Sequence, residues 1–214
     1  MSKITNESAK ACVEEVLKNR KPRNFKETVE LQVMFREYDP EKEKRFNSAT
    51  LLTYPTKQKL KVCVIGTMKH IEEAKAMGME AVNLDDLKKF NNEDKVIKKW
   101  ARKFNIILVS ESISKNVTRL IGRQISSVGR LPVSVGENEK IENKYDELLR
   151  TIRFRVKKYP WLAHAIGTET LTPEEIRQNL NKSVSFLVSL LPKGWHNIRS
   201  IHVKTTMGRP QKLF

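Results

Sequence analysis

Two short, unbroken apolar runs constrain this chain most: Lys61-Val-Cys-Val-Ile-Gly66 and Ile106-Ile-Leu-Val-Ser110. Apolar residues without polar alternation, ending at a Gly or Ser, fit strands covered on both faces, as in a parallel sheet. Helical patterns lie between them, at Met68 to Met77, Leu84 to Phe90 and Glu93 to Phe104, with a short strand expected at Met79 to Val82. Buried strands alternating with helices require crossover connections, so the middle of the chain is expected to be an α/β sandwich of three layers.

The flanks have a different texture. Residues 6 to 20 read as an amphipathic helix stopped by Pro22, and Asn24 to Phe35 as a long strand burying Val29, Leu31, Val33 and Phe35. After the Asp39-Pro40 turn and a charged run, Ala49 to Tyr54 reads as a short strand ended by Pro55. Beyond Asp146 the alternation returns. Ile152, Phe154 and Val156 face one way and Arg153, Arg155 and Lys157 the other, with Leu162 to Gly167 expected as the hairpin partner. Thr172-Pro-Glu-Glu175 has the form of a capping box with Pro at the first helical position. Ile176, Leu180, Val184, Leu187 and Leu191 then recur at helical spacing, in what reads as the longest core-facing helix, until Pro192 and Gly194. Shared texture predicts that residues 1–60 and 150–214 pair into one α+β domain, an antiparallel sheet with helices. Residues 61–149 would be the α/β insertion, joined through a double hinge near 58–62 and 147–151.

Charge narrows the function. Lys and Arg number 41 against 25 Asp and Glu, a formal +16, and the outer segments carry +13 of it. That field favours a polyanionic partner. No apolar run reaches the roughly 18 residues of a membrane span, so no membrane role is expected. Cys12 and Cys63 lack metal or catalytic spacing and read as buried, reduced hydrophobes. No metal or cofactor motif is present: the four histidines are far apart, and Val64-Ile65-Gly66-Thr67 has one glycine where a nucleotide-binding fingerprint needs three. A nucleotide-binding α/β enzyme and a generic basic RNA-binding regulator remain the competing classes.

Three stretches carry candidate chemistry. The terminal Arg199 to Phe214 alternates Ile201 and Val203 with His202 and Lys204, then offers Thr205-Thr206-Met207-Gly208, whose hydroxyls, thioether and bare backbone suit sugar, phosphate and base contacts. Taken alone, it reads sooner as a frayed terminal strand with a basic tail. The Ile121 to Pro132 segment, rich in Gly, Arg and Ser, reads either as an RNA-contacting loop or as a solvated connection. His164 and His202 could face RNA or be ordinary strand histidines. Glu27 and Glu30 could be exposed strand residues, or could order basic side chains and accept from a guanine edge or ribose hydroxyl.

Taken together, Asn24-Phe-Lys-Glu-Thr-Val-Glu-Leu31, Leu171-Thr-Pro-Glu-Glu175, Val188-Ser-Leu-Leu-Pro-Lys193 and Lys204-Thr-Thr-Met-Gly-Arg-Pro-Gln-Lys-Leu-Phe214 closely resemble the universal ribosomal protein L-one family, in order over nearly the whole chain. The ending resembles its eukaryotic cytosolic form. The resemblance implies a split α+β domain, an inserted Rossmann-like α/β domain, no enzymatic activity and no cofactor. It implies a structural role in the mobile stalk of the large ribosomal subunit, with stalk rRNA, exiting deacylated tRNA and other ribosomal components as partners, and no homo-oligomer. The location implied is the cytoplasmic ribosome, with nuclear or nucleolar transit during assembly. The rRNA site it implies comprises Phe25, Lys26, Thr28, Glu30, Arg153, Arg155, Lys157, His164, Gly167, Lys204, Thr206, Met207 and Gly208. A secondary contact would use Gly122, Arg123, Gly129 and Arg130, where Gly122-Arg-Gln-Ile-Ser-Ser-Val-Gly-Arg130 lacks a Pro, a Gly and a Lys usual in eukaryotic members.

Overall fold

A computed structural model describes residues 4–43, 46–88, 93–130, 132–156 and 158–214. Its chain order opens with α1 (Asn6–Lys18), β1 (Thr28–Phe35) and β2 (Asn47–Leu51). There follow β3 (Val62–Ile65), α2 (Met68–Ala76), β4 (Glu80–Val82), α3 (Leu84–Lys88), α4 (Asp94–Ala101), β5 (Ile106–Ser110), α5 (Glu111–Val128), β6 (Pro132–Val135) and α6 (Ile141–Arg150). The chain closes with β7 (Thr151–Arg155), β8 (Trp161–Thr168), α7 (Pro173–Leu190), a 3-10 turn at Gly194–Asn197, β9 (Ile198–Thr205) and β10 (Gln211–Lys212). Two compact units result, one of Met1–Gln58 with Leu149–Phe214 and one of Lys59–Leu148.

In the first unit, β10, β9, β1 and β8 form an antiparallel sheet in that order. Because side chains alternate along a strand, Val29, Leu31, Val33 and Phe35 enter the core while Thr28, Glu30, Gln32 and Met34 take the other face. The core is completed from α1 by Ala9, Val13 and Val16, and from α7 by Ile176, Leu180, Val184 and Leu187. The capping box of α7 forms as expected, with Thr172 N donating to Glu175 Oε2 at 2.8 Å and Glu175 N to Thr172 Oγ1 at 3.4 Å. At 18 residues α7 is matched in length by α5.

The expected hairpin between residues 151–157 and 162–167 does not form. Strand β8 pairs with β1, whereas β7 pairs with β2 in a separate antiparallel ladder of two strands. Alternation identifies a strand and its buried face but not its ladder partner. Here β7 meets β8 through side chains: the Phe154 ring lies 4.4 Å from the His164 ring and 5.3 Å from that of Phe186. Strand β2 ends earlier than expected because Asn179 of α7 captures the next residues. Its Oδ1 accepts from Tyr54 N at 3.1 Å, and its Nδ2 donates to Tyr54 O and Ile166 O at 3.2 and 2.9 Å.

The terminal segment is not frayed. Beyond Pro210 it returns as β10 beside β9, Leu213 N donates to Ile201 O at 2.8 Å, and Phe214 packs on Trp195. Residues 206–210 are thus a closed connection between two paired strands.

The second unit is built on a parallel sheet in the order β4, β3, β5, β6. Ile65, Ile107 and Val109 pack with α3, α4 and α5, while Val62, Val64 and Leu108 pack with α2 and α6. Two cores on opposite faces of one sheet make three layers. At the carboxyl end of the strands, Ser110 Oγ lies 2.6 Å from His70 Nδ1 and accepts from Thr67 N at 3.4 Å. Both side chains are buried, so this pair ties α2 to β5 and offers no nucleophile to solvent.

Residues 121–128 of the segment read as a loop are instead the end of α5, and Pro132 already opens β6. Val117, Ile121 and Ile125 recur at helical spacing and are fully buried, and this apolar stripe outweighs the Gly and Ser content. Gly129, at φ 78°, ends the helix in the left-handed conformation, with its N–H on Ser126 O and Arg130 N on Ile125 O.

Candidate nucleic-acid interface

The site is organised by a residue whose role periodicity foreshadows. Glu27 precedes β1 in phase with Val29, Leu31 and Val33, and its side chain is only 2% exposed. It is therefore not an ordinary exposed strand residue. Its Oε1 accepts from the backbone N–H of Met207 at 3.2 Å and pairs with Arg23 Nε at 3.4 Å. Its own carbonyl accepts from Glu169 N at 3.0 Å, and Glu169 in turn holds Arg20 at 3.0 Å. A buried carboxylate thus joins the approach to β1 to the connection between β9 and β10.

A second clasp is formed by Thr206, whose Oγ1 accepts from Thr28 N at 3.1 Å and donates to Thr28 O at 3.3 Å. It extends the antiparallel pairing that places Val29 opposite Thr205 and Glu30 opposite Lys204. Gly208 closes a tight turn, its N–H donating to Thr205 O at 3.1 Å. A Cβ added there would collide with Thr205 Oγ1, a buried hydroxyl without a hydrogen-bond partner among the described residues.

These contacts aim apolar surface outward. Met207 is 59% and Phe25 49% exposed, an unusual state for large hydrophobes on a rigidly tied segment. Beside them a cleft of about 450 Å³ is lined by Lys21, Arg23, Arg209, Glu27, Met207 and Gly208 among others. Its only carboxylate among the described residues, Glu27, is already engaged with Arg23, so the opening presents cations, backbone and a thioether. That combination has the chemistry suited to a ribose-phosphate backbone. Phe25 and Lys26 lie just before β1, not within it as the sequence suggested.

Other expected residues fall elsewhere. Arg153 and Arg155 are exposed on β7, in the ladder with β2, so they form a separate cationic strip. Lys57 joins that strip, its pKa lowered by burial and by the nearby Arg153 charge. Lys157 lies outside the described residues. The His164 ring turns inward against Phe154: both its nitrogens are buried without a hydrogen-bond partner among the described residues, and burial lowers its pKa to about 4. Gly167 is buried beneath the start of α7, where a Cβ would press to 3.1 Å from Leu171 Cδ1 and 3.2 Å from Ile176 Cγ1, so its small size serves packing. In the second unit, Arg123 is exposed on α5, Gly122 packs against Thr118, Gly129 serves as the helix stop, and Arg130 Nε is buried. Only Arg123 of these four is presented as a helix-borne cation.

Among the described residues no group of three or more His, Cys, Asp or Glu could hold a metal ion, and no helix is long and apolar enough to cross a membrane.

Comparison with known proteins agrees with the resemblance read from the motifs. Residues 17–209 match the model of the ribosomal protein L1p/L10e family. The chain is 41% identical over 216 residues to the large ribosomal subunit protein uL1 of Caenorhabditis elegans, covering all of both chains. It is 42% identical over 215 residues to the uL1 protein of Spodoptera frugiperda, with 100% of this chain and 99% of the relative covered. It is 39% identical over 216 residues to uL1z of Arabidopsis thaliana, again along the full length of both. With a family match across most of its length and relatives of this identity along all of it, the chain belongs to the ribosomal protein L1p/L10e family.

Proposed function

We propose that the chain grips the stalk region of large-subunit rRNA through the surface shared by Phe25, Lys26, Thr28, Glu30, Lys204, Thr206, Met207 and Gly208. As a member of this family it is a structural, non-enzymatic constituent of the large ribosomal subunit. The observation that carries the reading is the Glu27 clasp, which fixes an exposed Met207 and a bare Gly208 beside a cationic cleft. Shape recognition by that surface supplies specificity, because folded RNA is read through backbone geometry and 2′-hydroxyls. Arg153 and Arg155, with Lys157, add phosphate contacts and with them salt dependence.

On this reading the first unit is the rRNA-binding domain and the second is an insertion joined by two connections that act as a hinge. The chain would form the protein part of the mobile stalk, contact deacylated tRNA leaving the exit site, work on cytoplasmic ribosomes and pass through the nucleolus during assembly. The test is fluorescence-anisotropy titration of a labelled stalk-rRNA fragment against an unrelated folded RNA of equal length. Preference for the stalk fragment, lost in Met207→Asp, supports the proposal. Equal affinity for both RNAs would instead mark a generic basic RNA binder.

A further inference from the structure

The solvent face of the four-stranded sheet has a second unusual end. On β1, Met34 lies six residues beyond Thr28 on the same face, a separation of roughly 20 Å in an extended strand. There Met34 pairs directly with Trp161 of β8. Met34 is 46%, Trp161 55% and Tyr159 59% exposed, a cluster of large side chains that burial does not explain. Neither aromatic ring stacks on another ring or has a side-chain hydrogen bond among the described residues.

The two rings are nevertheless held firmly. Pro160 stands between them, Trp161 N donates to Tyr159 O at 2.9 Å, and Phe35 N donates to Pro160 O at 2.9 Å. The turn is thus constrained by a fixed proline φ and anchored to the end of β1. Rigid exposed aromatics lose little entropy when a partner lands on them.

The surrounding charge is one-sided. Arg36 follows β1, Lys158 precedes Tyr159, and Arg199 sits in β9 where the pairing with β1 shifts register; all three are exposed and none has an ion-pair partner among the described residues. The nearby acid, Glu37, is engaged by Lys193 at 3.3 Å. An apolar protein partner would gain nothing from three unpaired cations at the rim. A single-stranded RNA satisfies both features, with its bases on the rings and its phosphates on the cations.

We propose that Trp161 and Tyr159 form a stacking platform for unpaired RNA bases at the end of the sheet opposite the Thr206 clasp, with Arg36, Lys158 and Arg199 holding the flanking phosphates. This deepens the proposed function and rests on RNA being the partner. Between the two ends run Glu30 opposite Lys204 and Gln32 opposite His202, so a strand leaving the clasp can follow one polar track to the platform.

The test titrates the full chain into a dye-labelled single-stranded octauridylate, reading affinity from the anisotropy of the dye and, separately, following intrinsic fluorescence with the unlabelled oligomer. Trp161→Ala is expected to weaken binding roughly tenfold, the effect of removing one stacked base. Trp161→Phe is expected to restore most of the affinity, while the part of the intrinsic-fluorescence quench expected from Trp161 in the parent protein is lost in both. Met68→Ala, another exposed methionine in the second unit, should bind as the parent does. Parent-like affinity in Trp161→Ala overturns the platform and leaves the patch to a protein partner. The Met207→Asp titration against the stalk fragment reports on the clasp alone, so the two readings can fail separately.

Discussion

Glu27→Gln removes a charge and little volume from the centre of the site. In the parent protein one carboxylate oxygen takes both the Met207 N–H at 3.2 Å and the Arg23 Nε at 3.4 Å. A hydrogen bond to a charged group contributes about 1.5–3 kcal/mol, and a half-open ion pair no more than about 1 kcal/mol. The amide keeps an acceptor for Met207 but gives up the charge, so the expected loss is about 1–2 kcal/mol in unfolding free energy. Glu27→Ala leaves both donors unmet and should cost about 3 kcal/mol. Because the same oxygen fixes Met207 beside Gly208, the cost should also appear in recognition, as a loss of about tenfold in affinity for a stalk-rRNA fragment, each factor of ten being about 1.4 kcal/mol. Denaturant titration measures the first effect and fluorescence anisotropy at fixed salt the second. Amide exchange at Met207 should accelerate selectively, since its acceptor is weakened while the β1 to β9 ladder is intact. Parent-like exchange at Met207 would refute the clasp. A destabilised Glu27→Gln that binds the fragment as tightly as the parent would refute the link between clasp and RNA.

Gly208→Val should weaken fragment binding by tenfold or more while the protein stays folded, because its Cβ must displace Thr205 Oγ1 and the turn that presents Met207; thermal unfolding with binding distinguishes this from global loss. His164 adds a pH dependence of defined sign. Burial holds its pKa near 4 in the folded chain against about 6.5 unfolded, so the unfolded state binds the extra proton between those values and stability falls as pH drops through that window. The loss approaches about 3 kcal/mol by pH 4, and His164→Leu should flatten the curve in denaturant midpoints measured from pH 7 to pH 4. Thr172→Ala breaks the capping box of α7 and should cost about 1 kcal/mol in the first unit.

The parts of this structure legible in the sequence are those set by local chemistry. Val62 to Ile65 and Ile106 to Ser110 were identifiable as doubly covered strands, and the Thr172 box as a helix start, because apolar continuity and capping act over a few residues. Ladder partners were not legible: β7 and β8 are neighbours in the chain, but β1 and β2 from the far end compete for them and win. The 121–132 segment misled because Gly and Ser were weighed above Ile121 and Ile125, whose spacing with Val117 is helical. Thr206 and Met207 were singled out by the chemistry of the terminal stretch and Phe25 and Thr28 by motif resemblance, whereas Glu27 was read either as an ordinary exposed strand residue or as a carboxylate that orders basic side chains, and it pairs with Arg23. His164 and Gly167 both lie on β8, where the His164 ring nitrogens are buried and Gly167 is packed against Leu171 and Ile176, an inward placement that a site carried over from a resemblance does not reveal.

The most direct test is co-sedimentation of the tagged chain with large ribosomal subunits through a high-salt cushion, comparing the parent with Met207→Asp. Exposed Met207 contributes nothing to the core, so the variant should fold as the parent does. The parent should remain with the large subunit after the salt wash and Met207→Asp should be released from it. Retention of both proteins in equal amount would contradict the assignment of the Phe25 and Thr206-Met207-Gly208 surface as the rRNA grip.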